Sequence, residues 1–146
     1  MSEKQTANKA IEILIGKKKG FKILSNTEKK NLAIAFARNN MVIYGHAYDV
    51  VRCKKEIDFS NEKEILENLE SIMVYEIKST NRKELQDNFK GYFFDLTTAE
   101  LLVAQSLKDH FKFAFVNTIT EKFVELSLTE VFAHSKSIYP KWAIRF

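Results

Sequence analysis

The chain has 146 residues, of which 45% are hydrophobic and 29% charged, and its formal net charge is +4. With four Gly, one Pro and one Cys, collagen-like, Gly-rich and Pro-rich chains and an internal disulfide are excluded. No apolar run approaches the roughly 18 residues of a membrane-spanning helix, and the first residues lack a signal-peptide core, so we expect a soluble, cytoplasmic protein.

The first 40 residues predict two helices and contain most of the positive charge. Helical spacing of apolar residues predicts a helix over about residues 5–15, followed by a basic loop at 17–20. A second helix is predicted to start at Asn26 or Thr27, whose side chains cap helices, and to end at 39–40. Nine Lys or Arg against three acids give this region a charge of +6. Such a region is typical of a protein that binds a polyanion, and a solvated lysine-rich surface is the alternative.

The middle of the chain changes to the period-two pattern of strands. Residues 41–44 and 48–51 are β-branched and aromatic and flank a Gly-containing turn, which predicts a hairpin. The acidic stretch 56–70 predicts a short exposed helix inserted between strands. Residues 71–80 predict the clearest strand of the chain.

The last third of the chain predicts a helix, two strands and a short tail. After a polar loop, Thr97 or Thr98 caps a helix that runs to about residue 109. Strands are predicted at 111–117 and 122–126, one or two helical turns at 128–133, and a terminal strand at 142–146. The twelve Phe and five Tyr show no spacing typical of a base-stacking surface, so most are expected in the core.

This order of elements predicts an α/β fold, a single domain with a central mixed β-sheet flanked by helices. No linker or internal repeat divides the chain. We distinguish an N-terminal helix and basic loop at 1–25 from a core at 26–146.

One predicted strand contains two charged residues in an otherwise apolar stretch. Because residues i and i+2 of a strand share a face, Glu76 and Lys78 are expected side by side. A buried charge costs several kcal/mol unless it is paired or binds a metal. An ion pair on the solvated face of an edge strand is the alternative, since the Glu-x-Lys pattern is short.

A second acid, at the start of the preceding predicted strand, indicates a metal site. If the two strands are neighbours, Asp49 and Glu76 meet at one end of the sheet with Lys78 beside them. Two carboxylates and a backbone carbonyl, that of Ile77, suit Mg²⁺, which binds few protein ligands and keeps several waters. The metal would activate water and stabilise charge on a phosphodiester. Lys78 would orient or deprotonate that water, or neutralise the phosphate.

Three short motifs follow one another along the chain. They are Tyr48-Asp49-Val50, then Tyr75-Glu76-Ile77-Lys78-Ser79-Thr80, then Phe93-Phe94-Asp95-Leu96-Thr97-Thr98-Ala99-Glu100-Leu101. In this order, over residues 26–146, the chain resembles the PD-(D/E)XK nuclease superfamily with its restriction-endonuclease-like fold, and most of all Mrr-like, restriction-associated nuclease domains. It departs from that branch at Ala47, where Gly is frequent, and by the absence of Pro before the Asp.

The resemblance implies a Mg²⁺-dependent endonuclease that hydrolyses phosphodiester bonds in DNA, with Mn²⁺ able to replace Mg²⁺. It implies that Asp49 and Glu76 bind the metal and that Lys78 is the catalytic lysine. A homodimer is expected, because a domain of this size cuts one strand and double-strand cleavage needs two sites. A larger restriction or defence assembly is a further expected partner.

Basic and hydroxyl residues are the expected contacts to phosphate. Such contacts hold a nucleic acid in place without reading its sequence. The candidates are Lys17, Lys18, Lys19, Lys54, Thr80 and Arg82.

Several alternatives stay open from the sequence. Asp58 is a rival for the metal-binding Asp, and Glu28 matches a position where some relatives have an extra acid. Glu100 is expected to be an exposed helix residue, and His46 a polar turn residue. The competing functions are a catalytically inactive nucleic-acid-binding or assembly module of the same fold, and an ordinary interaction protein with a surface ion pair.

Overall fold

The computed structural model describes residues 2–146, in which helices and strands follow the predicted order, except that two predicted strands are absent and one short strand is additional. The helices are α1 (Glu3–Lys17), α2 (Asn26–Arg38), α3 (Glu62–Glu67), α4 (Thr98–Leu107) and α5 (Leu128–His134). The strands are β1 (Phe21–Lys22), β2 (Val50–Cys53), β3 (Ile72–Thr80), β4 (Phe111–Asn117) and β5 (Phe123–Leu126). Short 3-10 helices at Leu69–Ser71 and Lys108–His110 precede β3 and β4.

The five strands form one mixed sheet in the order β1-β2-β3-β4-β5. Neighbouring strands are antiparallel except β3 and β4, which are parallel, with α4 in the crossover between them. Val50 lies opposite Tyr75, and Val74 lies opposite Phe111. The predicted α/β class, a single domain with a central mixed sheet flanked by helices, is confirmed.

Helices cover both faces of the sheet. On one face, α1 packs against the sheet in a small cluster that includes Leu14 and Ile77. On the other face, α2 and α4 enclose a larger core that includes Phe36 and Phe113, both fully buried. Because side chains alternate along a strand, Glu76 projects into the face covered by α2 and α4.

The N-terminal helix belongs to the same domain as the sheet. Ala10 and Leu14 of α1 are fully buried, and Ile13 is nearly so. Within residues 2–146, no helix combines the length and the apolar character needed to cross a membrane.

Four helices begin at capping boxes. In each, a Ser or Thr accepts a hydrogen bond from the backbone N–H three residues later, and that residue's side chain accepts from the N–H of the cap. The pairs are Ser2 with Gln5, Ser25 with Glu28, Thr97 with Glu100 and Ser127 with Glu130. Each such cap satisfies backbone donors at the start of a helix and stabilises the protein by about 1 kcal/mol. The cap of α2 is therefore Ser25, one residue before the predicted candidates.

Two predicted strands do not form. Residues 41–44 are not paired in the sheet: the Val42 N–H donates to Ser106 Oγ at 2.6 Å, and Ile43 is buried. Strand β2 pairs instead with β1 and β3, and Phe21 of β1 lies opposite Arg52, so the predicted hairpin is wrong. Residues 142–146 are exposed and pair with none of the five strands of the described sheet, so the predicted terminal strand is wrong.

Gly20 joins α1 to β1 in a conformation that other residues rarely adopt. Its φ is +92°, and an added Cβ would clash with the carbonyl oxygen of Cys53, whose N–H donates to the Gly20 carbonyl at 2.9 Å. We expect Gly20→Ala to lower the free energy of unfolding by about 2 kcal/mol. Urea unfolding measures the change.

Gly16→Ala is the matched control for this substitution. Gly16 lies in α1, and an added Cβ there meets nothing within 4 Å outside its own helix. Helix propensity therefore predicts a gain of up to about 1 kcal/mol. A Gly20→Ala protein as stable as the wild type would show that the turn does not need glycine.

Candidate functional site

The structure brings the two predicted carboxylates together. The antiparallel register of β2 and β3, continued by one residue beyond the pair Val50–Tyr75, places Asp49 opposite Glu76. The Asp49 N–H donates to the Tyr75 carbonyl at 2.9 Å. Asp49 Oδ2 accepts a hydrogen bond from the Ile77 N–H at 2.7 Å. These two bonds hold the Asp49 carboxylate beside Glu76.

Lys78 lies beside this pair and is held by a third carboxylate. Its Nζ is 2.7 Å from Glu100 Oε1 and 3.8 Å from Glu76 Oε1. Glu100 is only 6% exposed, so its expected position as an exposed helix residue is wrong. The cause is the helix cap: Glu100 Oε1 also accepts from the Thr97 N–H at 3.1 Å, which turns the carboxylate back toward the start of α4.

A signal for this role of Glu100 is present in the sequence. Thr97-Thr98-Ala99-Glu100 has the T-x-x-E spacing of a capping box, which predicts that the glutamate folds back onto the helix start. The same spacing does not predict which strand lies there. The parallel crossover from β3 to β4 brings the start of α4 to Lys78.

The cluster holds three carboxylates and one ammonium group, largely closed to water. The side chains of Lys78, Glu76 and Glu100 are 15%, 12% and 8% exposed. Burial raises the pKa of Glu76 to about 9, and the carboxylates of Asp49 and Glu100 add to the rise. Burial also raises the pKa of Asp49, against the opposing hydrogen bond from Ile77. With three carboxylates facing one ammonium group, the site is short of positive charge.

A divalent cation matches this shortage. Mg²⁺ prefers carboxylate and carbonyl oxygens and usually keeps several waters, so one or two protein carboxylates are enough. Asp49, Glu76 and the carbonyl of Ile77 offer oxygen donors of this kind. Within residues 2–146, no group of three or more His, Cys, Asp or Glu side chains is arranged to hold a metal ion. A metal here would depend on two carboxylates, backbone oxygen and water.

Two of the predicted phosphate contacts lie near the candidate site but have other partners. Thr80 is in β3, two residues after Lys78, and it is buried. Its Oγ1 accepts from the Arg82 N–H at 3.2 Å. Arg82 is exposed, and its Nε lies 3.0 Å from Glu84 Oε1.

Lys17 and Lys18 lie at the end of α1, which covers the opposite face of the sheet. Lys17 Nζ donates to the Glu121 carbonyl at 2.7 Å. Lys18 Nζ lies 2.9 Å from Glu125 Oε2. The sheet therefore separates both lysines from Asp49.

Lys19 and Lys54 line an open groove of about 1010 Å³ at the other end of β2 and β3. Lys54 follows Cys53, which pairs with Ile72. Ile72 lies four residues before Glu76, so about 13 Å of strand separates this end of β3 from Glu76. The groove also extends to Tyr75, whose side chain lies on the other face of β3 from Glu76. Six Lys or Arg and four acids line the groove, so its excess of positive charge is small.

The two alternative acids, Asp58 and Glu28, form hydrogen bonds with other residues. Asp58 Oδ1 accepts from the Ser60 N–H at 2.9 Å and from its hydroxyl at 2.6 Å. Glu28 caps α2 and pairs with Lys22 at 2.8 Å. His46 is an exposed turn residue, as the sequence predicts.

Comparison of the chain with protein-family models, with curated proteins and with solved structures finds no match. Function is therefore inferred from the residues of this cluster and from the motifs around them.

Proposed function

We propose that the chain is a Mg²⁺-dependent endonuclease with a restriction-endonuclease-like fold, which hydrolyses phosphodiester bonds in DNA. The observation that carries the proposal is the meeting of Asp49 and Glu76 on neighbouring strands, with Lys78 beside them and too little positive charge to balance them. The motif order supports it, since the Asp strand, the Glu-x-Lys strand and a helix follow one another as in PD-(D/E)XK nucleases. Mn²⁺ is expected to replace Mg²⁺.

The two carboxylates would hold the cation. In hydrolysis, water adds to phosphorus, the bond from phosphorus to the leaving sugar oxygen breaks, and that oxygen takes a proton. A bound Mg²⁺ would supply electrostatic stabilisation of the charge that develops on the phosphate. Asp49 is already oriented by the hydrogen bond from the Ile77 N–H, so little reorganisation is needed before binding.

Lys78 supplies a positive charge at a fixed place. Its ammonium group is held by Glu100 at 2.7 Å and lies 3.8 Å from Glu76 Oε1, within reach of a phosphate bound beside Glu76. From there it orients the attacking water or offsets charge on the phosphate. Glu100 acts through Lys78 and is a positioning residue.

Cleavage of supercoiled plasmid tests the proposal. The purified protein is expected to nick or linearise plasmid with Mg²⁺ or Mn²⁺ and to leave it intact with EDTA. Lys78→Ala is expected to lower the rate by about 10²-fold, because a charge beside the reacting phosphate is lost. Lys22→Ala is the control, since it also removes a lysine from an ion pair, with Glu28 at 2.8 Å, and should leave the rate unchanged.

Two results would contradict the nuclease. One is equal cleavage by the wild type and Lys78→Ala, and the other is cleavage that persists in EDTA. A protein that binds plasmid but does not cleave it, whichever metal is added, would instead be a binding or assembly module of the same fold.

A further inference from the structure

Residues 135–146, called here the terminal segment, leave large apolar side chains in solvent. Tyr139 is 69% exposed and Trp142 is 87% exposed. A contiguous exposed apolar surface is a common mark of a binding site. The segment has no acidic residue, and its three cations are Lys136, Lys141 and Arg145. A partner that combines flat apolar surfaces with negative charge would match this segment.

Two contacts attach the terminal segment to the loop that leads into α4. Lys141 Nζ lies 2.9 Å from Asp95 Oδ2. The ring centroids of Tyr139 and Phe93 are 6.4 Å apart. Both partners, Phe93 and Asp95, belong to the third motif of the sequence.

This loop continues directly to the candidate site. Asp95 lies two residues before Thr97, which shares the cap of α4 with Glu100. The hydrogen bond from Lys141 lowers the pKa of Asp95, and the charge of Lys78 lowers it further. The terminal segment is thus tied to a carboxylate within electrostatic reach of Lys78.

Phe93 is held outward on an anchored backbone. On either side of it, the Phe94 ring lies 4.9 Å from the Phe115 ring, and the Tyr92 hydroxyl donates to a β3 carbonyl at 3.0 Å. Phe93 itself is 71% exposed. Together with Tyr139, it forms an exposed aromatic pair on the loop that leads into α4.

We propose that the terminal segment binds an unpaired single strand of DNA next to the candidate site, with bases stacked on Phe93, Tyr139 and Trp142 and phosphates on Lys136 and Arg145. This inference rests on the proposed nuclease and names its substrate as single-stranded or locally unpaired DNA. Aromatic rings stack on any base, and cations among them hold the backbone. Bases in a duplex are stacked on one another and must be extruded before a protein reaches their faces.

The two phosphate-binding side chains are available for this role. Neither Lys136 nor Arg145 makes an ion pair with any residue of the described chain, 2–146. Lys141 anchors the segment through Asp95 and is not needed for phosphate contact.

Fluorescence anisotropy of labelled oligonucleotides in EDTA tests binding in the absence of cleavage. The wild type is expected to bind a single strand of about 16 nucleotides more tightly than a duplex of the same sequence. Tyr139→Ala/Trp142→Ala is expected to weaken single-strand binding at least about tenfold and duplex binding less than about twofold. Ile23→Ala/Ile119→Ala, which removes side chains that are 58% and 49% exposed elsewhere, should change neither.

Salt dependence tests the phosphate contacts. For Lys136→Gln/Arg145→Gln, the slope of log Kd against log salt concentration is expected to fall by about 1.4, or about 0.7 for each contact. Lys4→Gln/Lys63→Gln is the control, because these exposed lysines lie on α1 and α3. That variant should keep the wild-type slope.

Three results would overturn the inference. The first is an unchanged single-strand affinity of Tyr139→Ala/Trp142→Ala. The second is an equal loss of affinity of this variant for single strand and duplex. The third is a dimeric wild type that this variant converts to a monomer with oligonucleotide binding intact. The last result would make the segment a contact between copies of the chain. The binding assay contains no metal and therefore does not depend on cleavage. If the protein binds single strands through this segment but does not cut plasmid, the proposed nuclease activity is refuted and the binding inference stands.

Discussion

Glu76→Gln is expected to lower metal-dependent plasmid cleavage by more than about 10³-fold and, at the same time, to stabilise the metal-free protein. Gln keeps the size of Glu and donates a hydrogen bond to Asp49, but it brings no negative charge to a cation. Loss of activity with a gain in stability is the behaviour of a residue that the site needs and the fold does not.

The stability gain has a definite pH dependence. In the folded, metal-free protein the pKa of Glu76 is raised from 4.5 to about 9, first by burial and then by neighbouring carboxylates. The folded state thus keeps a proton that the unfolded chain releases above pH 4.5, so stability is lost as pH rises from 4.5 toward 9. Gln removes this dependence. The gain should be close to zero at pH 4.5 and on the order of 2 kcal/mol or more at pH 8.

Urea unfolding in EDTA at the two pH values measures this gain. Glu130→Gln is the control, because hydrogen bonds from Ser127 lower the pKa of that exposed carboxylate. Its replacement should therefore produce no gain that grows with pH. Wild-type cleavage by Glu76→Gln, or a gain that shrinks as pH rises, would remove Glu76 from the proposed site.

Phe113→Ala is expected to lower the free energy of unfolding by about 3–5 kcal/mol. Phe113 is fully buried in β4, and the parallel register places it beside Glu76. Its ring centroid lies 5.1 Å from that of Phe111 and 6.4 Å from that of Phe115. Because both neighbours are fixed by the same strand, the cavity left by Ala closes only in part.

Two further variants calibrate this effect in urea unfolding. Phe113→Leu fills most of the space and should cost about 1 kcal/mol. Phe123→Ala removes a half-buried ring from the edge strand β5 and should cost less than Phe113→Ala. A loss below about 1 kcal/mol for Phe113→Ala would show that the ring does not lie in a closed core.

Local patterns predicted the elements whose signal is continuous along the chain. The apolar runs 71–80 and 111–117 correspond to β3 and β4, because the two central strands are buried on both faces. The helix starts were predictable to within a few residues from capping side chains. Helix α4 begins at Thr98, directly after its cap Thr97.

The errors come from pairings between distant residues. Strand β1 has two residues, and its partner Arg52 lies about thirty residues further along the chain, so no local pattern identifies it. The apolar run 41–44 predicted a strand, and in the structure its Ile43 is buried. It did not indicate that this residue packs against the core without pairing in the sheet.

The candidate site was predictable only in part, because some of its contacts also depend on how distant segments of the chain pair. Asp49 directly precedes β2, and Glu76 lies in β3, the next strand along the chain. Their neighbouring positions therefore followed once the two strands were identified as a pair. The contact of Glu100 with Lys78 depends on the path of the crossover from β3 to β4. Neither the motif that contains Lys78 nor the motif that contains Glu100 predicts that path. The cluster of positive charge in the sequence did not predict where its lysines lie relative to the site. Lys17 and Lys18 lie on the face of the sheet opposite the carboxylates.

The attachment of Lys78 to Glu100 also divides the support of the site between two parts of the fold. Strands β2 and β3 bring Asp49 and Glu76 together. Glu100 reaches Lys78 from α4, which lies in the crossover between the parallel strands β3 and β4. The carboxylates and the lysine of the site are therefore held in place by different elements.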